Sequence, residues 1–236
     1  MGKPRQDLHD QMRLACEDAF LPYLRQVLEQ NSPDRHAQIK GQFAEHMGFL
    51  ADFCLRGYSG AGGLTVEFIK GLHRAMFPPD YRQEIVTRDG HKIWMVPGEF
   101  KSVSNNVCDS HLHPGKVTVF LPAEQVPAAM QTLMARINAE LADAADRERS
   151  RDAILWFALD FAVIHPFVDS NGRVACILAD LLAIRAGLPA FHFSSIKSRD
   201  KVGLIRAVEL VRETRNLTAL NEMLAGYECR SGKEAA

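Results

Sequence analysis

Apolar residues recur every three or four positions along most of the chain, which is the spacing of helices with one buried face. The first two such segments span residues 12–28 and 39–54, and the turn-forming residues 31–34 separate them. Two amphipathic helices joined by a short turn favour a helical hairpin. We therefore predict that residues 1–60 form an N-terminal helical extension packed on a core.

The helical spacing continues after a glycine-rich break at residues 60–63. Segment 152–164 is apolar on nearly every side, as expected for a helix at the centre of a bundle. The other predicted helices cover residues 65–77, 127–141, 174–186, 202–215 and 217–227. Residues 216–236 are assigned to a C-terminal helix followed by a disordered tail from residue 230 onward.

One segment is predicted to form β-strands. Short β-prone runs at residues 84–88 and 91–96 flank Asp89-Gly90, a strong signal for a tight hairpin turn. Residues 97–122 are rich in turn formers and carry no further strand pattern. The prediction for the whole chain is a mainly all-α helical bundle with one small β-hairpin.

The charge balance of the chain argues against a strongly charged partner. Lys and Arg total 28 against 29 Asp and Glu, so the formal net charge is -1. No overall field then favours nucleic acid or an anionic membrane, and no apolar run is long enough to span a bilayer. We predict neither nucleic acid nor a membrane among the partners.

The cysteines indicate a reducing compartment. Five cysteines lie far apart with no C-x-x-C pair, which argues against a zinc knuckle or a disulfide scaffold. The predicted location is the cytoplasm, with a secreted effector and a homo-oligomer left open. His111 and His113 could ligate a transition metal, but no third ligand has the right spacing, so a surface loop is favoured.

The segment His165-Pro-Phe-Val-Asp-Ser-Asn-Gly-Arg173 joins two apolar helices and concentrates polar residues between them. Ser170, Asn171 and Gly172 fall where the second helix begins. Their backbone N–H groups can therefore point at an anion, and the helix dipole assists. This arrangement predicts a phosphate pocket.

Three side chains in the same segment suit phosphoryl transfer. His165, with an ordinary pKa of about 6.5, can serve as a general base. Asp169 offers a carboxylate for Mg²⁺ bound mainly through phosphate oxygens, and Arg173 offers a positive fork for a phosphate. Taken singly, such residues are more typical of helix caps, ion pairs and buried histidines. Their combination within one short segment favours phosphoryl transfer.

This segment resembles the signature of the Fic (filamentation) domain, His-Pro-Phe-x-Asp/Glu-Gly-Asn-Gly-Arg-x-x-Arg. Every fixed position up to the first arginine agrees except Ser170. The resemblance extends to the Leu72-His73 pair and to residues 96–101, which stand where the family has its flap. It covers residues 64–215, and we identify that span as a Fic-like catalytic domain.

The resemblance implies a protein adenylyltransferase, which moves AMP from ATP to a Ser, Thr or Tyr hydroxyl of a target protein. In such proteins the histidine at His165 deprotonates the hydroxyl, and the acid at Asp169 holds Mg²⁺. The nucleotide phosphates are bound by the residues at Ser170, Asn171, Gly172 and Arg173.

The resemblance also implies how the target protein is held. The flap is suited to clamp an extended target segment by strand addition, a mode of recognition that rests on main-chain hydrogen bonds. Its predicted contact residues are Trp94, Gly98, Phe100 and Lys101.

Two departures from the signature bear on the donor. Ser170 replaces a glycine in the anion site, and Cys176 replaces the second arginine, which contacts the γ-phosphate or an inhibitory glutamate in typical members. Phosphocholine, UMP and Doc-like phosphate transfer therefore stay open, as does a catalytically decayed module that binds nucleotide. Thr218 and Glu222 match only part of the family's inhibitory pattern, so we predict no glutamate brake.

Overall fold

The computed structural model describes residues 5–58, 62–86, 90, 92–108 and 117–234. The described part contains nine α-helices: α1 (Arg5–Glu29), α2 (His36–Gly57), α3 (Val66–Ala75), α4 (Val126–Asp143), α5 (Arg147–Ile164), α6 (Asn171–Arg185), α7 (Phe193–Arg199), α8 (Lys201–Thr214) and α9 (Thr218–Glu234). Its four short strands are β1 (Gln83–Val86), β2 (Lys92–Met95), β3 (Asn106–Cys108) and β4 (Val117–Val119). The predicted mainly all-α fold is confirmed. None of the described helices combines the length and the apolarity needed to cross a membrane.

Helices α5 and α6 form the centre of the bundle. Phe157 and Phe161 of α5 are fully buried, as are most side chains of α6. Burying a phenylalanine stabilises a fold by roughly 1.5–3 kcal/mol. The prediction that the segment 152–164 occupies the centre is therefore confirmed.

Helix α1 packs directly on this centre. Met12, Cys16 and Phe20 are buried, and α1 contacts α2, α6 and α7. These side chains belong to the same hydrophobic cluster as α5 and α6. The N-terminal hairpin therefore supports the loop that joins those two helices.

Helix α5, which leads into that loop, is fixed at both ends. At its start, Asp146 Oδ1 accepts a hydrogen bond from the N–H of Arg149 at 2.8 Å. At its end, His165 adopts a left-handed conformation with φ of 51° and donates its N–H to Phe161 O at 2.9 Å. The left-handed residue ends the helix and directs the chain into the loop.

The predicted hairpin is present, with a different centre. β1 pairs antiparallel with β2, and the last pair of the ladder is Val86 with Lys92. This ladder is centred on residue 89, whereas a two-residue turn at Asp89-Gly90 would centre it between those two residues. Gly90 has a φ of 82°, which glycine adopts without a Cβ clash. Residues 87–89 and 91 lie outside the described part.

A second two-stranded sheet lies in the segment that the sequence predicts to be turn-rich. β3 pairs antiparallel with β4, from Asn106 opposite Val119 to Cys108 opposite Val117. Strands of three residues are too short to show the alternation that predicts a strand. Residues 109–116, which include His111 and His113, lie outside the described part.

Two helices also differ from the prediction. Helix α7 is too short for a periodic pattern, and Asp18 of α1 holds its start by accepting from the N–H groups of Ser194 at 3.0 Å and Ser195 at 2.9 Å. Helix α9 continues to Glu234, so the tail predicted to be disordered from residue 230 begins inside a helix. An established helix gains a hydrogen bond with each added residue, so polar residues can extend it.

Candidate active site

Asn171 closes the loop between α5 and α6. Its Oδ1 accepts from the N–H of Phe167, and its Nδ2 donates to Phe167 O, both at 2.8 Å. The Phe167 ring is fully buried beneath the loop. The Asn171 side chain thus ties the loop to the start of α6, and its backbone N–H lies in the first turn of that helix.

His165 lies half-buried at the end of α5 with its ring against Phe120. The two ring centroids are 3.8 Å apart and the ring planes differ by 12°. Burial first, and then the cation of Lys101, lower the pKa of His165 from its ordinary 6.5 to about 4. The imidazole is therefore neutral near pH 7 and has a nitrogen that can accept a proton.

The predicted flap residues divide between solvent and core. Trp94 on β2 is 58% exposed, whereas Gly98 is buried in a turn with φ of 85°. The Phe100 ring packs on the Phe167 ring, with centroids 5.5 Å apart. The hairpin is thus open to solvent, and the chain after it is attached to the loop.

Lys101 supports the loop from inside. It is 3% exposed, and its ammonium donates to Asn105 Oδ1 at 2.9 Å and to Ile164 O at 3.4 Å. Its backbone N–H donates to Pro166 O at 2.9 Å. Burial lowers the pKa of Lys101 to about 8. The side chain of Lys101, which is predicted as a target contact, is thus bonded to the loop.

The predicted anion site is the N-terminus of α6. Ser170 is the N-cap residue and has a left-handed φ of 65°. The N–H groups of Asn171, Gly172 and Arg173 are in the first helical turn, where no intrahelical acceptor is available. The partial positive charge of the helix end adds to their attraction for an anion.

Arg173 and Asp169 contact each other beside this helix end. Arg173 Nη2 lies 3.4 Å from Asp169 Oδ2 and also donates to Ser170 Oγ. The guanidinium lies 5.3 Å from the centroid of Phe20 and 6.0 Å from that of Phe77. Because the Asp169 side chain is 53% exposed, a metal ion can reach its carboxylate.

Replacing Ser170 with glycine is expected to stabilise the fold by roughly 1 kcal/mol, because a side chain at a positive φ carries a steric cost. The change also removes the hydroxyl that Arg173 contacts. We therefore expect nucleotide affinity to be maintained or improved. Urea unfolding and calorimetric titration with ATP measure the two effects. Loss of both stability and affinity would show instead that the hydroxyl supports the site.

Two clefts meet at Asp169 and Arg173. The first, of about 1510 Å³, contains His165 and the start of α6, and β1, β2, α7 and α8 form its other walls. The second, of about 1380 Å³, lies between α1, α2 and the end of α3. The first cleft therefore contains both His165 and the predicted anion site.

Two contacts at the site have no local signal in the sequence. Phe120 reaches His165 from the segment before α4 that was predicted to be turn-rich. His73 of α3 is buried and contacts Asp169 across 96 positions of the chain. Sequence spacing reports neighbours along one element, so it carries no sign of contacts at such separations.

Cys176 lines the first cleft on α6, where the signature has its second arginine. Burial, with the nearby Asp180 and Asp18 next, raises the pKa of the Cys176 thiol to about 12. The thiol is therefore neutral near pH 7 and cannot pair with a glutamate or a phosphate as an arginine would.

Replacing Glu222 with glycine is expected to leave transferase activity unchanged. Glu222 is exposed on α9, and the neutral Cys176 gives it no cationic partner. Initial rates of labelling by the wild type and the variant provide the comparison. Both proteins are checked by thermal unfolding, because glycine in a helix costs about 1 kcal/mol. A large rise in rate would mean that Glu222 does act as a brake.

Stability is expected to fall as the pH is lowered from about 6.5 to about 4. Burial lowers the pKa of both His73 and His165 to about 4, so in this window the unfolded chain binds two protons that the folded chain does not. Burial raises the pKa of Asp180 to about 7, so in the same window the folded chain binds one proton that the unfolded chain does not. These three groups together give a net slope of about 1.4 kcal/mol per pH unit before solvent screening, and burial of His46, which lowers its pKa, acts in the same direction. Urea midpoints across the window test this, and Asp180→Asn should steepen the fall.

The profile of the Fic/DOC family matches residues 63–183, just over half of the chain. The chain belongs to the Fic/DOC family. The matched span of this Fic/DOC chain holds α3, the hairpin, α5, the loop and most of α6. No curated protein matches the chain in sequence.

Solved Fic structures share the fold. A Fic domain containing signaling protein from Bacteroides thetaiotaomicron aligns with a TM-score of 0.57 and 24% identity, over 77% of this chain and 62% of that one. A Fic family protein from Desulfovibrio desulfuricans G20 aligns with a TM-score of 0.58 and 17% identity, over 99% of this chain and 66% of that one. IbpAFic2, solved covalently tethered to Cdc42, aligns with a TM-score of 0.53 and 19% identity, over 81% of this chain and 52% of that one. This Fic/DOC chain thus spans less than two thirds of each of these structures.

Proposed function

We propose that this Fic/DOC chain transfers AMP from ATP to a Ser, Thr or Tyr hydroxyl of a target protein. The observation that carries the proposal is a neutral histidine, His165, next to a helix N-terminus whose first N–H groups are available to phosphate. A base and an anion site in one cleft are the two parts that phosphoryl transfer requires of a protein.

His165 acts as the general base in this proposal. Its neutral imidazole accepts the proton of the target hydroxyl while the hydroxyl oxygen forms a bond to the α-phosphorus of ATP. The bond from that phosphorus to the bridging oxygen breaks, and pyrophosphate leaves. Contact with Phe120 limits the rotation of the His165 ring. A positioned general base of this kind contributes about 10²–10⁴-fold to the rate.

The N-terminus of α6 stabilises the negative charge of the reacting phosphate. The N–H groups of Asn171 and Gly172 are held in place by the helix and by the Asn171 contacts with Phe167. Donors that are already oriented cost no reorganisation during the reaction. Arg173, now beside Asp169, would exchange that carboxylate for a β-phosphate oxygen.

Asp169 fits a Mg²⁺ ion held largely by the nucleotide. The described residues include no cluster of three or more His, Cys, Asp and Glu side chains that could hold a metal by themselves. Mg²⁺ in nucleotide sites needs only one or two carboxylates, since phosphates and water supply the other ligands. The exposed Asp169 carboxylate provides one. When bound, the ion neutralises charge on the phosphate oxygens.

The hairpin is the proposed binding site for the target. β1 and β2 form a two-stranded sheet, and Trp94 and Val86 are exposed on it, at 58% and 61%. An added target strand would bond to a free strand edge, and these side chains would cover the neighbouring residues. The tethering of IbpAFic2 to Cdc42 supports a protein as the acceptor for a domain of this fold.

A different Fic-type donor is the second candidate. The contact of Arg173 with the Ser170 hydroxyl favours it, because a side chain at this position narrows the anion site. Transfer of phosphocholine, UMP or a single phosphate uses the same base and loop. A catalytically decayed module that binds nucleotide without turnover is the third candidate.

A donor screen distinguishes these candidates. The purified protein is incubated with Mg²⁺, cell lysate and one labelled donor at a time: ATP labelled at the α- or γ-phosphate, UTP, CTP or CDP-choline. Labelling of a protein from the α-phosphate of ATP supports AMP transfer if His165→Ala abolishes it. Label from the γ-phosphate indicates a kinase. Nucleotide binding with no labelled protein supports the decayed module, and equal labelling by His165→Ala contradicts the assigned base.

A further inference from the structure

Both ring nitrogens of His73 are bonded to functional segments on opposite sides of the ring. His73 lies on α3 and is fully buried. The N–H of Gly98, in the turn that follows β2, donates to Nδ1 at 2.8 Å. Nε2 lies 3.2 Å from the carbonyl oxygen of Asp169. One side chain therefore joins the chain after the hairpin to the residue that is proposed to hold Mg²⁺.

The bonding fixes the protonation state of the ring. A backbone N–H can only donate, so Nδ1 of His73 is the unprotonated nitrogen. Nε2 then carries the proton and donates it to Asp169 O. Protonation of Nδ1 would set two N–H groups against each other at Gly98.

Packing holds the His73 ring in one orientation. The ring is stacked on Phe167 with centroids 3.9 Å apart and planes 3° apart. Phe167 is itself fixed by the Asn171 side chain. The His73 ring therefore cannot rotate to exchange its two hydrogen-bond partners without losing its stacking on Phe167.

The turn at Gly98 is equally constrained. Gly98 has a φ of 85°, and a Cβ at this position would lie 2.7 Å from Arg74 Nη2. The guanidinium of Arg74 and the ring of His73, both on α3, lie next to this turn. Its N–H has the fixed direction that the bond to Nδ1 requires.

We propose that His73 is a positioning residue that fixes the chain after the hairpin relative to the Asp169 backbone. A target strand on the hairpin and the metal-binding carboxylate then keep a constant relative position. His73 touches neither substrate and acts through Gly98 and Asp169. The catalytic consequences of this role rest on the proposed function. Its two bonds are structural and can be tested without any activity.

Two substitutions separate the bonds of His73. Asparagine places an acceptor near the position of Nδ1 and has no group at Nε2, so His73→Asn retains the bond to Gly98. Glutamine reaches the position of Nε2 with an amide donor, so His73→Gln retains the bond to Asp169. Ile69→Val is the matched control, since Ile69 is fully buried on the same helix.

Amide hydrogen exchange at Gly98 and affinity for the Mg²⁺–ATP complex are the readouts that need no turnover. We expect His73→Gln to speed Gly98 exchange roughly tenfold and leave Mg²⁺–ATP affinity near that of the control. His73→Asn should do the reverse, with Gly98 protected and the Mg²⁺ concentration needed for half-maximal ATP binding raised roughly tenfold. If the two variants change both quantities equally, or no more than Ile69→Val, the proposal is wrong.

Steady-state kinetics then test whether the two hydrogen bonds of His73 affect group transfer to the target protein. His73→Gln should raise KM for the target protein with kcat little changed, and His73→Asn should lower kcat at fixed Mg²⁺ and recover it as Mg²⁺ is raised. Equal losses of kcat in both variants would contradict the separate roles. If the wild type has no transferase activity, the proposed function fails while exchange and binding still decide the role of His73.

Discussion

Replacing His165 with alanine is expected to lower kcat for labelling of the target by about 10²–10⁴-fold, the usual contribution of a general base. The imidazole is neutral near pH 7 and lies in the first cleft, at the end of α5 beside the anion site. Nucleotide affinity should change little, because the phosphate contacts come from the start of α6. Labelling rates and calorimetric titration with ATP provide the two measurements.

Two controls separate catalysis from folding in the His165 experiment. His165→Asn keeps a residue that tolerates the left-handed conformation at φ of 51° and removes the base. It should be as inactive as His165→Ala and as stable as the wild type. His9→Ala changes a histidine of α1 that lies against Asp52, away from the loop, and should keep full activity. A His165 variant with wild-type kcat would show that another group takes the proton.

Replacing Gly172 with alanine is expected to separate stability from function. A Cβ on Gly172 would have no neighbouring heavy atom within 4 Å, and the residue lies in α6. Alanine should therefore stabilise the free protein, by roughly 0.5–1 kcal/mol. The added methyl group would stand where the first-turn N–H groups meet a phosphate. Affinity for ATP should fall by at least tenfold, and labelling with it.

The Gly172 variant requires a glycine of the same kind as its control. Gly226 on α9 also has open space around an added Cβ, so Gly226→Ala should gain similar helix stability and leave ATP affinity unchanged. Thermal unfolding and titration with ATP are measured on all three proteins. Undiminished ATP binding by Gly172→Ala would place the phosphate away from the N-terminus of α6.

The local parts of the site could be predicted from the sequence because they depend on short spacings. The segment from His165 to Arg173 forms a loop and a helix N-terminus between two buried helices, and the order of its residues alone indicates this. The central position of α5 follows from its apolar composition. The hairpin follows from two β-prone runs, although its centre at residue 89 depends on the turn geometry.

The remaining features depend on contacts between distant parts of the chain. The pKa of His165 is about 4 rather than 6.5 because folding buries the ring near Lys101. The resemblance places Lys101 among the target contacts, and its burial against the loop depends on contacts that the sequence does not show. The two bonds by which the Asn171 side chain holds Phe167 have no signal in the sequence. Nothing near His73 in sequence indicates its bonds to Gly98 and Asp169.

The most direct test of the proposed reaction is mass spectrometry of target proteins after incubation with ATP and Mg²⁺, with His165→Ala as the parallel sample. We expect an AMP group on a Ser, Thr or Tyr side chain in the wild-type sample and none in the variant sample. We also expect label from the α-phosphate, and not from the γ-phosphate, on the same peptide. A folded wild-type protein that binds ATP and modifies no protein, or that modifies it equally without His165, would show that the proposed reaction is wrong.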